Sequence, residues 1–304
     1  GDARDVNRIM QACVAECGAE LVTDCKVLGF NIVEGRIVSV STSQGELRAD
    51  RFILTTGGLS YPKTGGTGDG YGWARDSGHR VIKPEPALVP VTLKEPWTGE
   101  VNRFNLKNVR ITLHLDGKKI DERFGEAFFT RKGIGGPIIL DMSKAIRDAL
   151  KVGKTTLLLD LKPAVEHKKF DRRLQREFEE NQNREFRNSL GDLLPHDLIA
   201  LFIRLSGIDP EKRCHSITKG ERQKLLKLFK ELELNVDGYE GFDKAIVTSG
   251  GVCLDDIDMR TMRSRKVENL YFAGEIIDLD GRTGGFNLQV CWSTGFLAGA
   301  SASS

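Results

Sequence analysis

The sequence predicts an α/β and α+β multidomain protein, and three observations carry that expectation. Residues 268–304 read as a short strand, a glycine loop and a helix start, residues 51–58 read as a second strand running into Thr-Thr-Gly-Gly, and the chain between them turns first to β alternation and then to charged helix. Strand, glycine turn and helix start is how an open α/β sheet presents a dinucleotide at the carboxyl ends of its strands. The 304 residues exceed a usual single domain, so more than one core is expected.

Taken in order, Asp2 can cap a helix with Val6, Ile9, Met10, Cys13, Val14 and Cys17 on its apolar face, closed by Gly18. Cys13 and Cys17 are expected to be core residues, one helical turn apart. Glu20–Val22, Lys26–Phe30, Arg36–Thr42 and Arg51–Thr55 read as strands, with turns at Glu34-Gly35 and Gln44-Gly45. From Gly57 to Gly72 seven glycines make a segment too glycine-dense for a helix or strand, and the interleaved Tyr61, Tyr71 and Trp73 favour an ordered ligand-lining loop over a linker.

Around Pro84-Glu85-Pro86 the character changes. Leu88–Leu93, Val109–Leu115, Ala127–Thr130 and Thr155–Leu161 alternate as antiparallel strands, which looks like an inserted β domain. From Val165 to about Leu232 the pattern is helical, with Phe170, Leu174 and Phe178 on one face, then Leu198–Leu205, then Leu225, Leu226, Leu228 and Phe229. Strand returns at Lys244–Thr248, and Leu270–Ala273 is a buried strand before a helix from Phe286.

Composition excludes several classes. With 45 basic and 43 acidic residues interspersed for a net charge of +2, no field for nucleic acid or anionic membrane is implied. No run of about 18 apolar residues and no signal-peptide pattern occurs, so a cytoplasmic protein without membrane or nucleic-acid partners is expected. Six scattered cysteines lack a C-x-x-C pair and five isolated histidines lack ligand spacing, which argues against a disulfide scaffold or a metal site. Gly153-Lys154-Thr155 fails as a P-loop, because Asp148 stands where a glycine is needed and a strand follows. A G-x-G-x-x-G after a strand is absent; the nearest run, Gly66 to Gly72, has Tyr71 at its last glycine position.

Thr55–Gly65, Thr67–Tyr71, Phe129–Pro137, Val247–Val252, Phe272–Glu275 and Asp278–Gln289 together resemble the YhiN/BaiN-type NAD(P)/FAD-dependent oxidoreductases, a branch of the glutathione-reductase-like flavoproteins. The resemblance implies an incomplete Rossmann-like FAD-binding domain in residues 1–86 and 245–304, an inserted β-barrel-like domain in 87–164 and 232–244, and a helical subdomain in 165–231. It implies that Gly274 and Glu275 meet the flavin's ribityl and phosphate region. Gly284, Gly285, Phe286, Asn287 and Leu288 would meet the ring, Thr56, Gly57 and Gly58 the adenosine side, and Val27 the adenine. Arg131-Lys132 and Gly135 depart from the family pattern in the insert. Members begin with a glycine fingerprint that is not among these residues, so the chain is expected to be a truncated member lacking about a hundred residues, with weak or no FAD binding of its own.

The expected function is hydride transfer through FAD to or from a small organic substrate, with NAD(P)H as candidate donor. Tyr61, Asp280 and Arg282 lie near the flavin in sequence, but no catalytic acid is assigned. The alternative is a non-catalytic binding or interaction module that cannot hold FAD by itself.

Overall fold

The computed structural model describes residues 2–101 and 104–304. Helix α1 (Ala3–Glu16) starts as expected, since the Asp2 side chain accepts from the Arg4 amide and Asp5 returns the bond to the cap. Its apolar face, however, is solvent-exposed: Val6, Ile9, Met10 and Val14 are 37% exposed or more, and Cys13 and Cys17 are exposed instead of core. Periodicity tells which face of a helix is apolar; it does not say that the covering partner lies in the same chain. Glu20–Val22 is likewise coil, with Leu21 and Val22 exposed, because no strand pairs with it.

An antiparallel meander follows: β1 (Val27–Val33), β2 (Arg36–Thr42) and β3 (Gly45–Leu47). The β1–β2 turn places Glu34 and Gly35 both at positive φ, as tight right-twisted hairpins require. Strand β4 (Phe52–Leu54) leads into the glycine-rich segment, which is not all loop. It contains a short turn at Pro62–Thr64 and helix α2 (Asp69–Asp76), so Gly70 and Gly72 are helical, contrary to expectation. At Gly70 a Cβ would overlap Thr56 Oγ1, so glycine there records a close approach between helix and strand end.

Strand β5 (Val81–Ala87) contains both Pro84 and Pro86, tolerable because it pairs along one edge only. Next come β6 (Val91–Leu93), β7 (Asn105–Leu115), β8 (Lys118–Thr130), β9 (Gly133–Gly135), α3 (Pro137–Leu150), β10 (Thr155–Asp160), α4 (His167–Glu180), α5 (His196–Ser206), α6 (Lys219–Lys230) and β11 (Leu232–Tyr239). Six of these strands close into a barrel in the order β10-β11-β6-β9-β8-β7. The barrel interior and the helices share one core, including Ile111, Leu113, Phe129, Ile139 and Leu157 with Phe170, Phe202 and Phe229. Beside it, Lys230 places its ammonium 2.7 Å from Asp160 and 2.8 Å from the Lys162 and Val165 carbonyls, so all three donors of a buried lysine are satisfied.

The chain then forms β12 (Val247–Val252), β13 (Ile257–Asp258), β14 (Arg263–Ser264), β15 (Leu270–Phe272) and α7 (Phe286–Ser303). Strand β12 pairs antiparallel with β5 across an irregularity between Ser249 and Gly251, so the strand expected to end at Thr248 continues through Ser249, Gly250 and Gly251. Strands β13-β14-β15-β4 form a separate four-stranded sheet in which β15 and β4 run parallel, with Leu270 opposite Phe52 and Phe272 opposite Leu54. Its core joins residues distant in sequence, such as Ile37, Tyr71, Met262, Phe272 and Ala298. Between the two cores sits a small apolar cluster of Ala87, Leu88 and Val247 with Leu140 of α3 packed on it. Both passages of the chain between sheet and barrel meet there. Among the described residues no helix is long and apolar enough to cross a membrane.

Candidate functional site

The carboxyl ends of β4 and β15 and the start of β12 converge on Gly58, Glu275 and Thr248. Strand β15 is fully buried and passes into a turn at Gly274–Ile276. Gly274 takes a left-handed φ of 79°, and its amide donates to Thr294 Oγ1 of α7 at 2.9 Å. That turn presents Glu275 to β12, where its Oε1 accepts the Thr248 amide at 2.6 Å, and the Gly58 backbone closely approaches the same carboxyl group. Thr248 Oγ1 in turn accepts from the Leu59 amide at 2.8 Å and the Ser60 amide at 3.1 Å. A side chain at Gly58 would overlap Thr248. Burial raises the Glu275 pKa above its ordinary value, against the lowering effect of the Thr248 and Gly58 backbone. Tyr71 is raised by burial and by the nearby Glu275 and Asp278.

A cavity of about 420 Å³ opens beside this junction, lined by Leu88, Ile246, Thr248, Glu275, Arg282, Gly284, Gly285, Asn287, Leu288 and Cys291 among others. Its size suits a small organic ligand or a flavin ring. Gly284 and Gly285 have φ of 104° and 89°, and no side chain caps α7. The first N–H groups of α7 therefore have no intrahelical partner, and the positive end of its dipole lies at the cavity. Leu88, at the crossing, is itself held at a φ of 49°, a conformation that a non-glycine residue keeps only where its surroundings enforce it.

The loop over residues 280–285 is held from three directions. Asn287 spends its side chain on it, accepting from the Gly281 amide at 2.8 Å and donating to the Gly281 carbonyl at 3.0 Å. Asp280 Oδ1 accepts from Ser249 Oγ at 2.9 Å and from Lys144 Nζ at 3.1 Å. Asp141 Oδ1 accepts both the amide and the hydroxyl of Thr283 at 2.8 Å. Asp278 is raised by burial and then by Asp280, while burial and Glu275 raise the Cys291 thiol.

A second cavity of about 490 Å³ lies between the meander and β4, lined by Val27, Phe30, Phe52, Thr55, Thr56, Gly65 and Trp73 among others. Thr56 Oγ1 is buried at its edge without a hydrogen-bond partner among the described residues, and so is Tyr71 Oη in the neighbouring core.

Of the residues singled out in sequence, Glu275, Gly284, Gly285, Asn287 and Leu288 line the first cavity and Val27 and Thr56 the second. Gly58 lies at the junction between them, and Gly57, at a φ of 73°, has open space where a Cβ would stand. Gly274 sits behind Glu275. Phe286 is 60% exposed and lines neither cavity. Sequence reasoning missed Thr248 as the hub, and it missed α3 altogether, and with it Asp141 and Lys144. The signal for α3 was available: Gly136-Pro137 is a helix start, and Ile138, Ile139, Met142 and Ile146 fall at helical spacing.

Residues 1–301 match the family model described as the HI0933-like protein Rossmann domain. The chain belongs to that family. This is the grouping to which the YhiN/BaiN-type motifs pointed. The chain is 29% identical over 255 residues to a 3-dehydro-bile acid delta(4,6)-reductase of Clostridium scindens, covering 84% of this chain and 62% of the relative. It is 31% identical over 269 residues to a ribosomal RNA dihydrouridine synthase of Haemophilus influenzae, covering 88% of this chain and 63% of the relative. It thus spans a little over three-fifths of the length of these relatives. Among solved structures, a quinol-fumarate reductase aligns over 96% of this chain and 47% of its own, at 16% identity and a TM-score of 0.42, too distant to carry an argument.

Proposed function

We propose that this HI0933-like protein acts as a FAD-dependent oxidoreductase that reduces a carbon–carbon double bond conjugated to a carbonyl in a small organic substrate. The observation that carries the reading is the uncapped start of α7, which opens through Gly284 and Gly285 onto the cavity of about 420 Å³. When bound, FAD supplies hydride transfer. The free N–H groups of α7 stabilise negative charge placed against them, Glu275 and Gly274 hold the ribityl and phosphate side, and Gly284, Gly285, Asn287 and Leu288 hold the ring, to which Phe286 contributes its backbone amide and not its exposed side chain. Thr56, Gly57, Gly58 and Val27 hold the adenosine side, where the unpartnered Thr56 Oγ1 offers a hydrogen bond that the protein leaves unmade.

The substrate class is supported by chemistry common to two relatives with different names. A 3-dehydro Δ4,6 steroid and a uracil ring each carry a C=C bond conjugated to a carbonyl, and each name describes its saturation. NAD(P)H is the proposed donor. In this reading residues 1–86 and 245–304 carry the cofactor, and the barrel and helical parts, 87–164 with 232–244 and 165–231, carry the substrate side. Because no G-x-G-x-x-G follows a strand in these 304 residues, we expect them alone to bind FAD weakly.

The test uses the intact protein. Purified, it should show flavin absorbance near about 450 nm, bleach anaerobically with NAD(P)H, and recover its colour with a conjugated steroid dienone. Absence of flavin would sink the reading. Recovery with uridine-containing ribosomal RNA and with no small enone would overturn its substrate half.

A further inference from the structure

Helix α3 belongs to the barrel by its core face and to the glycine loop by its polar edge. Ile138, Ile139, Met142 and Ile146 are buried in the barrel core, while Leu140 packs on the crossing cluster. On the remaining side, Asp141 and Lys144 reach the 280–285 loop, which is more than a hundred residues away in sequence. Asp141 Oδ1 takes two bonds from Thr283, each 2.8 Å. Lys144 Nζ lies 3.1 Å from Asp280 Oδ1, whose side chain is 13% exposed. The loop has little else to fix it: its glycines contribute no side chains, Arg282 makes no side-chain hydrogen bond or ion pair among the described residues, and Gly284, Gly285 and Phe286 are exposed. The contacts besides those from α3 are Ser249 to Asp280 and the loop's own Asn287.

We infer that Asp141 and Lys144 are positioning residues through which the barrel sets the conformation of the glycine loop at the start of α7. Two charge-assisted bonds to a single carboxylate oxygen are strong and directional, and one of them holds the backbone amide that immediately precedes Gly284. The loop is thereby registered to the barrel and not only to its own sheet. Any displacement of α3 is transmitted to the glycines that face the cavity. The effect on flavin binding rests on the function proposed above, whereas the effect on the loop does not.

Hydrogen exchange at 280–286 in the intact protein, with tryptic cleavage after Arg282, tests the inference. Asp141→Ala should speed exchange at 281–285 and cleavage after Arg282 by about tenfold or more. Asp141→Asn keeps an acceptor oxygen but loses the charge, and should fall between wild type and Asp141→Ala. Lys144→Met removes a half-exposed ion pair and should raise exchange at 280–282 by about two- to fivefold. Arg204→Ala, which breaks the exposed Arg204–Glu100 pair far from the loop, should change neither readout. If Asp141→Ala leaves the loop within twofold of wild type while α3 stays protected, the inference is overturned. If that variant unfolds α3, Lys144→Met decides, and unchanged exchange at 280–282 overturns it. In variants with a loosened loop, flavin affinity should fall in step. A protein that binds no flavin would refute the proposed function and leave the loop result standing.

Discussion

Replacing Thr248 by valine removes one oxygen while nearly keeping the shape of a side chain that is 2% exposed. That oxygen accepts the Leu59 amide at 2.8 Å and the Ser60 amide at 3.1 Å, and no other acceptor for these amides is present among the described residues. Leaving a buried donor unmade costs about 1–3 kcal/mol. Two donors, one of them only partly buried, therefore put the loss at roughly 2–4 kcal/mol. Hydrogen exchange reads this locally. At about 1.4 kcal/mol per factor of ten, protection at Leu59 and Ser60 should fall by roughly 30-fold to several hundred-fold. Thr248→Ser keeps the acceptor and should retain most of the protection. Exchange at both amides within threefold of wild type in the valine variant would show that Thr248 is not the hub of the junction.

Lys230→Met strands Asp160, buried beside it, and should cost about 3–5 kcal/mol in denaturant unfolding, with Lys230→Met/Asp160→Leu recovering a large part; equal stability of the single variant and wild type would contradict the pairing. Gly72→Ala should stabilise by about 0.5–1 kcal/mol, since it is a helix-interior glycine with nothing near the added methyl. Gly70→Ala, two residues away, should destabilise by about 1–3 kcal/mol through its clash with Thr56, and a pair of equal signs in thermal melts would refute this. Glu275 has a pKa raised from 4.5 by burial, so the folded state binds its proton more tightly than the unfolded state. Its contribution is fully present below pH 4.5 and is lost as pH rises through the raised folded value. Glu275→Gln should flatten that part of the stability profile, and an unchanged slope in pH-dependent unfolding would exclude Glu275 as its source.

What the sequence revealed was local. Asp2 capping α1, the Glu34-Gly35 turn, the alternation of β7 and the strand-loop-helix at 270–303 are each decided by residues within a few positions of one another, and the structure has them. What it concealed was pairing. Leu21 and Val22 have strand composition but no neighbour to bond, so they are coil. Pro84 and Pro86 look like a break but lie in a strand that uses only one edge. Gly70 and Gly72 read as loop because propensity cannot register that one fills a close contact with Thr56. The same limit applies to the site. Glu275 and the glycines were legible from their motif, whereas Thr248, Asp141 and Lys144 act through contacts 27 to 189 residues away, which no local pattern encodes.

The exposed apolar faces extend that reasoning to function. Helix α7 is apolar nearly all round, which suits a helix covered on every side, yet Leu288, Trp292 and Phe296 are 65%, 49% and 77% exposed. They are not scattered singly, because they follow one another along the helix that begins at the cavity, and α1 adds a second exposed apolar face. Exposed apolar side chains that adjoin one another are what a contact surface presents, where single ones need no explanation. The relatives named for a steroid and for a ribosomal RNA uridine are similar to this chain over much the same stretch, so the shared fold does not choose between substrates. In the proposed function the cofactor side would be built from backbone, glycines and the buried Glu275 carboxylate. In that reading discrimination falls to the side chains that line the cavity, Leu279, Leu288 and Val290 beside the loop and Leu88 and Ile246 at the crossing. Ile246 lines the cavity and is 42% exposed, so in that reading its exchange should shift substrate preference while hydrogen exchange in the glycine loop stays at the wild-type rate.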